Sequence, residues 1–95
     1  MNNSLKTKPK GYEQLTVSST SVALASIPAG ASRAIVMVEA QPLRYREDGV
    51  APTSLIGVLC VATTRFELES RKAIEGFRAI RSGGTDSVVS VLYYN

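Results

Sequence analysis

Residues 33–57 read RAIVMVEAQPLRYREDGVAPTSLIG, from Arg33 to Gly57, and this stretch decides the fold class. Ile35, Val36, Met37 and Val38 form a near-continuous apolar run, the pattern expected of a strand covered on both faces. The spacing predicts a strand over residues 33–41. Pro42 has no backbone N–H to give to a ladder, so it marks a strand end or a sheet edge. Leu43 to Arg46 continues extended, and Glu47-Asp48-Gly49 is a turn. Ala51-Pro52-Thr53 is expected to stay extended on the surface, and Leu55 to Ala62 to form a second apolar strand around Gly57. A strand ending in a charged turn with an aromatic at its centre suits the display of a surface better than the enclosure of a reaction centre.

Outward from this unit the period of two recurs. Tyr12, Gln14 and Thr16 lie opposite Glu13, Leu15 and Val17. Ser18 to Ser21 is a polar break, and the next alternation puts Val22 and Leu24 on one face. Ile27-Pro28-Ala29-Gly30 is a turn, since Pro28 presets φ and Gly30 accepts a positive φ. Downstream, Phe66 and Leu68 alternate with Arg65, Glu67 and Glu69. Ser70 is placed to cap a short helical turn that ends at Gly76. Phe77, Ala79 and Arg81 oppose Arg78 and Ile80. After a turn at Ser82–Asp86, Val89, Val91 and Tyr93 face away from Val88, Ser90, Leu92 and Tyr94. Seven to eight short strands separated by regular turns predict an all-β single domain over residues 12–95, a β-sandwich or small jelly roll.

The charge has a simple location. The chain has 95 residues and a net charge of +3, from eleven basic and eight acidic residues. Three of the basic residues are Lys6, Lys8 and Lys10, so Gly11 to Asn95 is formally neutral. Residues 1–11 read as a flexible, lysine-rich N-terminal arm, either a passive terminus or a segment that orders on a neighbouring subunit. A neutral body argues against a nucleic-acid-binding face. No apolar run reaches the roughly twenty residues of a membrane span, and no h-region marks a secretory signal. The expectation is therefore a product of the cytoplasm with no membrane partner. A domain of this size buries roughly two-thirds of its unfolded surface, which leaves modest stability and favours oligomerisation.

Chemistry is sparse. The chain has no histidine, so the usual general base, the usual zinc ligand and every Ser–His–Asp or Cys–His triad are missing from it. Cys60 is the single cysteine and sits in the apolar run GVLCVA, as a small core residue would. Glu67 and Glu69 share a strand face with Arg65, which makes a solvated charged stripe. Gly83-Gly84 has no following helix and is a turn, not a phosphate cradle. The expectation is no enzyme, no catalytic residue, no metal and no cofactor. Two constellations suit a contact surface, because Tyr and Arg are enriched in interface hot spots. They are Arg44-Tyr45-Arg46, whose ring serves either the core or an interface, and Tyr93-Tyr94, of which one ring should be core and the other free. With Lys6, Lys8 and Lys10 these make up the candidate interface residues.

The order of Ala29-Gly30, the strand Ala34–Val38, Arg44-Tyr45-Arg46 with Asp48-Gly49, Ala51-Pro52-Thr53, Phe77-Arg78-Ala79-Ile80 and the closing Tyr93-Tyr94 resembles small virion proteins of tailed bacteriophages. The resemblance spans about Ser18 to Tyr94. It implies a capsid decoration (cement) protein that oligomerises, with a trimer favoured, on the major capsid protein or other virion proteins. It places the chain in the virion after synthesis in the host cytoplasm. A tail or head–tail junction component is the alternative from the same setting. A ligand- or sugar-binding β-sandwich module is the alternative from another class.

Overall fold

The computed structural model describes residues 8–95, and the placement of Lys6 lies outside them. Eight strands and one short helix follow in the order β1 (Pro9–Val17), β2 (Val22–Ala23), β3 (Arg33–Ala40), β4 (Leu43–Arg46), β5 (Val58–Cys60), β6 (Arg65–Leu68), α1 (Arg71–Gly76), β7 (Arg78–Arg81) and β8 (Ser87–Tyr94). They form two four-stranded sheets, ordered β1-β8-β3-β6 and β2-β7-β4-β5. Every pairing is antiparallel. The chain crosses between the sheets at most turns, and the first and last strands lie side by side. This interleaving of two Greek keys is the jelly-roll connectivity, so the all-β sandwich expected from the strand pattern is what forms.

The period of two explains which side chains meet between the sheets. Ala34, Val36 and Val38 of β3, Val89, Val91 and Tyr93 of β8, Val17 of β1 and Leu68 of β6 are all fully buried. From the other sheet come Leu43, Ala79 and Cys60, with Phe77 and Ile74 closing one end. Ile35 and Met37 are half-buried, so β3 covers one face fully and the other in part, not both as its apolar run predicts. The reason is that, among the described residues, no layer packs on the outer face of this sheet. Burial raises the Cys60 thiol pKa, which leaves a core residue with little thiolate.

The helix follows from its cap. Ser70 has extended backbone and its Oγ accepts from Ala73 N–H at 3.1 Å. Ala73 and Ile74 then turn inward. At the Pro28–Ala31 turn, Ala31 N–H donates to Pro28 O at 3.2 Å and Gly30 has φ +83°. Arg71 reaches back to both carbonyls of this turn, Pro28 O at 2.9 Å and Ala31 O at 3.0 Å.

Two boundaries differ from the sequence expectation. The first strand starts at Pro9, not at Tyr12, because Pro9 and Gly11 pair with Tyr94 and Tyr93. Asn95 closes the pair: its Oδ1 accepts from Lys8 N–H at 2.8 Å and its own N–H donates to Lys8 O at 3.1 Å. The C-terminal strand thus captures the last part of the expected arm. The second difference lies in residues 55–62, where the apolar run yields only the three-residue β5.

Candidate functional site

The structure brings the segment from β4 to β6 to one edge of the sandwich. β5 is the edge strand of its sheet and β6 the edge strand of the other. β4 lies inside β5, with Leu43 opposite Cys60, Arg44 opposite Leu59 and Tyr45 opposite Val58. The loop between β4 and β5 folds back over this edge and is held by the arginines that precede it.

Arg44 does not point into solvent as a free cation. Its Nε donates to Ser54 O at 3.0 Å and its Nη1 to Gly57 O at 2.9 Å. The guanidinium supplies a rigid fork of donors, so one side chain fixes both ends of the 54–57 segment. Arg46 donates to Asp48 through Nε at 3.0 Å and Nη2 at 2.5 Å. That pair lowers the Asp48 pKa, chiefly through the Arg46 hydrogen bond. The folded carboxyl therefore stays charged at a lower pH than the unfolded one, and the pairing is present above the ordinary aspartate range and lost as pH falls below it. Asp48 Oδ1 also accepts from Val50 N–H at 3.3 Å. Thr53 closes the loop tip, where its Oγ1 accepts from Leu55 N–H at 3.2 Å and Ile56 N–H at 2.9 Å. Thr53 and Ile56 exchange two backbone hydrogen bonds as well.

Two glycines permit this packing. Gly57 has φ +133°, and a Cβ there would sit 3.0 Å from Pro52 Cβ and 3.2 Å from Tyr45 O. Ala51 and Thr53 are exposed as expected, whereas Pro52 between them is buried. At Gly76 a Cβ would fall 2.2 Å from Glu47 O, and Gly49 N–H donates to Gly76 O at 3.0 Å. The end of α1 and the 47–49 turn are thus in backbone contact. Gly76→Ala is expected to push the turn away at a cost of about 2 kcal/mol, as overpacking does. Amide hydrogen exchange at Gly49 should accelerate in that variant, and an unchanged rate would show that the two backbones are not coupled.

Tyr45 is half-buried and faces the core side. Its ring stacks on Phe66 of β6, with centroids 4.3 Å apart and planes at 6°. Phe77 lies 5.7 Å from Tyr45 and 6.3 Å from Phe66. The three rings join β4 of one sheet to β6 of the other. Burial raises the Tyr45 pKa, with smaller contributions from Cys60 and Glu47, so the phenol stays neutral. A shallow groove of about 550 Å³ lies beside it, lined by Tyr45, Arg46, Glu47, Asp48, Ile56, Gly57 and Val58.

What this edge presents is apolar. Leu55 is 83% exposed, Ile56 59%, Val58 54%, Leu59 51% and Val61 58%. These side chains were expected inside a strand. The sequence carries one signal of their placement: Gly49 to Thr64 contains no charged residue, yet it holds the irregular Ala-Pro-Thr-Ser segment, which interrupts any long strand.

The remaining candidate residues sit elsewhere. Lys8 and Lys10 are exposed at the opposite edge, on and before β1. Tyr93 is wholly buried, and its hydroxyl donates to the Glu13 carboxylate. Of the terminal pair, therefore, only Tyr94 reaches the surface, where the Arg33 guanidinium lies 5.0 Å above its ring. Sequence reasoning missed Glu13, a buried carboxylate that also accepts from Ala25 N–H at 3.2 Å and Ser26 N–H at 3.0 Å. Its place in the alternation with Leu15 and Val17 was the available sign.

Among the described residues no group of three or more His, Cys, Asp and Glu side chains could hold a metal ion, and no helix is long and apolar enough to cross a membrane. No family model, no curated protein and no solved structure matches this chain.

Proposed function

We propose that the protein is a structural component of a tailed-phage virion, a decoration protein that oligomerises and adds contact area to the head shell. The observation that carries this reading is the apolar edge from Leu55 to Val61, held in place by Arg44 and Thr53. Its side chains are presented by a loop whose backbone is already hydrogen-bonded, so a partner orders little on binding. The jelly-roll connectivity supports the same reading by analogy, since viral capsid domains use it, as lectins do. The resemblance of Ser18–Tyr94 to small virion proteins supplies the phage setting. The mechanism is mechanical: an oligomer that touches several shell subunits gains by multivalency.

The test is to label the protein on purified virions and image them by negative stain. Label spread over the head is expected. Label confined to one vertex or to the tail would replace decoration by a junction role. The groove beside Tyr45 favours a second reading, a sugar-binding module, because a half-buried ring lies next to the Glu47 and Asp48 acceptors. Glycan-array binding that is abolished by Tyr45→Ala, in a variant shown to be folded, would support that reading instead.

A further inference from the structure

We propose that the β5 edge is a self-association surface whose occupant is a second copy of this chain, docked about a two-fold axis. The inference deepens the assembly reading above, since it names the contact by which the protein would oligomerise.

Four observations carry it. The first is exposure. Five consecutive apolar positions apart from Gly57 and buried Cys60 stand more than half in water: Leu55, Ile56, Val58, Leu59 and Val61. They expose on the order of 500 Å², near the top of what a soluble monomer shows in one patch. Paired across a two-fold axis they bury about 1,000 Å², which is where specific interfaces begin.

The second is the contrast among the four sheet edges. β6 carries Arg65 and Glu67. β1 carries Pro9 and Lys10 and is preceded by Lys8. β2 has two residues. Charge, proline and shortness are the devices by which exposed edges avoid sticking. β5 is short but is flanked on both sides by apolar side chains in water and has no charge within reach in sequence. It is the edge that needs a cover.

The third is charge, and it selects the occupant. A two-fold contact sets the same patch against itself, so a patch of one charge sign would meet like charge. Gly49 to Thr64 carries no charge. The nearest cation, Arg44, is turned onto Ser54 O and Gly57 O, and Arg46 and Asp48 neutralise one another at 2.5 Å. Between Gly49 and Thr64 an acidic or basic partner finds no charged residue to pair with, whereas an identical apolar patch is matched to it.

The fourth is rigidity. Arg44 holds Ser54 O and Gly57 O, and Thr53 holds Leu55 and Ile56 N–H. The patch keeps its shape before contact.

The test is the mass of the purified full chain by light scattering and analytical ultracentrifugation at micromolar concentration. Leu55→Lys and Leu59→Lys are made separately. Both positions are exposed, so folding is expected to survive and is checked by circular dichroism. Tyr12→Lys, at an exposed position on the far edge, is the control. The expected result is a dimer for the wild type and Tyr12→Lys, and a dissociation constant raised at least ~10-fold in each leucine variant. A monomeric wild type would overturn the proposal, and so would a trimer, a dimer that survives both leucine substitutions, or one that breaks with Tyr12→Lys. A dimer that ignores phage heads would remove the decoration reading and leave this contact standing. A monomer that coats heads through Leu55 and Leu59 would do the opposite.

Discussion

Glu13→Ala is expected to lower stability by about 3 kcal/mol, because it strands the buried Tyr93 hydroxyl and takes the acceptor from two backbone N–H groups. Ala25 N–H and Ser26 N–H donate to the Glu13 carboxylate from the segment after β2, and Tyr93 O–H from the middle of the core. Tyr93 is fully buried and loses its hydrogen-bond acceptor. In a domain of this size the loss corresponds to a melting temperature lower by on the order of 15 °C. Tyr93→Phe keeps the ring and removes one donor, so it should cost about 1 kcal/mol. Thermal melts followed by circular dichroism decide the matter. If the alanine variant melts within a degree or two of wild type, the carboxylate is not a structural anchor.

The same pair sets a pH limit. Burial, followed by the hydrogen bond and the charge of Glu13, pushes the Tyr93 pKa well above its ordinary value. The folded phenol therefore holds its proton more tightly than the unfolded one. Its contribution is complete below the ordinary tyrosine range and is lost as pH rises beyond about 10. The wild type should destabilise there more steeply than Tyr93→Phe.

Phe77→Ala should be the costliest of the core truncations, at about 4 kcal/mol. Phe77 is fully buried and caps the C-terminal end of α1. Its ring also sits against Tyr45 and Phe66, which belong to different sheets. Removing it opens a cavity where the two layers are joined, and the rigid stacked pair that remains cannot collapse to fill it. Urea unfolding should show a lower midpoint with an unchanged slope, the sign of lost stability without a changed unfolded state. A loss below about 1 kcal/mol would mean that the end of the sandwich repacks freely, against the tight packing expected of such interiors.

Much of the architecture was legible because it depends on local geometry. A strand shows alternate side chains to opposite faces, so Glu13-Leu15-Val17, Phe66-Leu68 and Val89-Val91-Tyr93 announce their inner faces without reference to any partner. Ser70 announces a helix start because its hydroxyl meets an N–H three residues on. Pro28-Ala29-Gly30 and Asp48-Gly49 mark turns because only certain residues accept those dihedral angles.

The candidate cluster was legible in position, and its contacts were not. Arg44-Tyr45-Arg46 reads as a cluster whose ring serves either the core or an interface; in the fold Arg44 is turned to Ser54 and Gly57, Arg46 to Asp48, and Tyr45 stacks on Phe66. A side chain's donors and rings can be satisfied by residues close in space and many positions away, which spacing along the chain does not reveal. Leu55 to Ala62 reads as one apolar strand, of which only Val58–Cys60 forms. An apolar run is identical on paper whether a neighbouring strand covers it or, as here, it ends a sheet.

Residue order alone was enough for a small all-β fold, for most of its strands and turns, for the apolar face of each strand and for the neutrality of the body, but not for the start of β1 or the extent of β5. Only the tertiary structure decided that β8 lies between β1 and β3, that Glu13 is buried against Tyr93, and that the apolar run after Ser54 is left in water at an edge. Face and turn are set by backbone sterics within a few residues. Strand order, burial of a lone carboxylate and exposure of an edge are set by which distant segments pair, and that is a property of the whole chain.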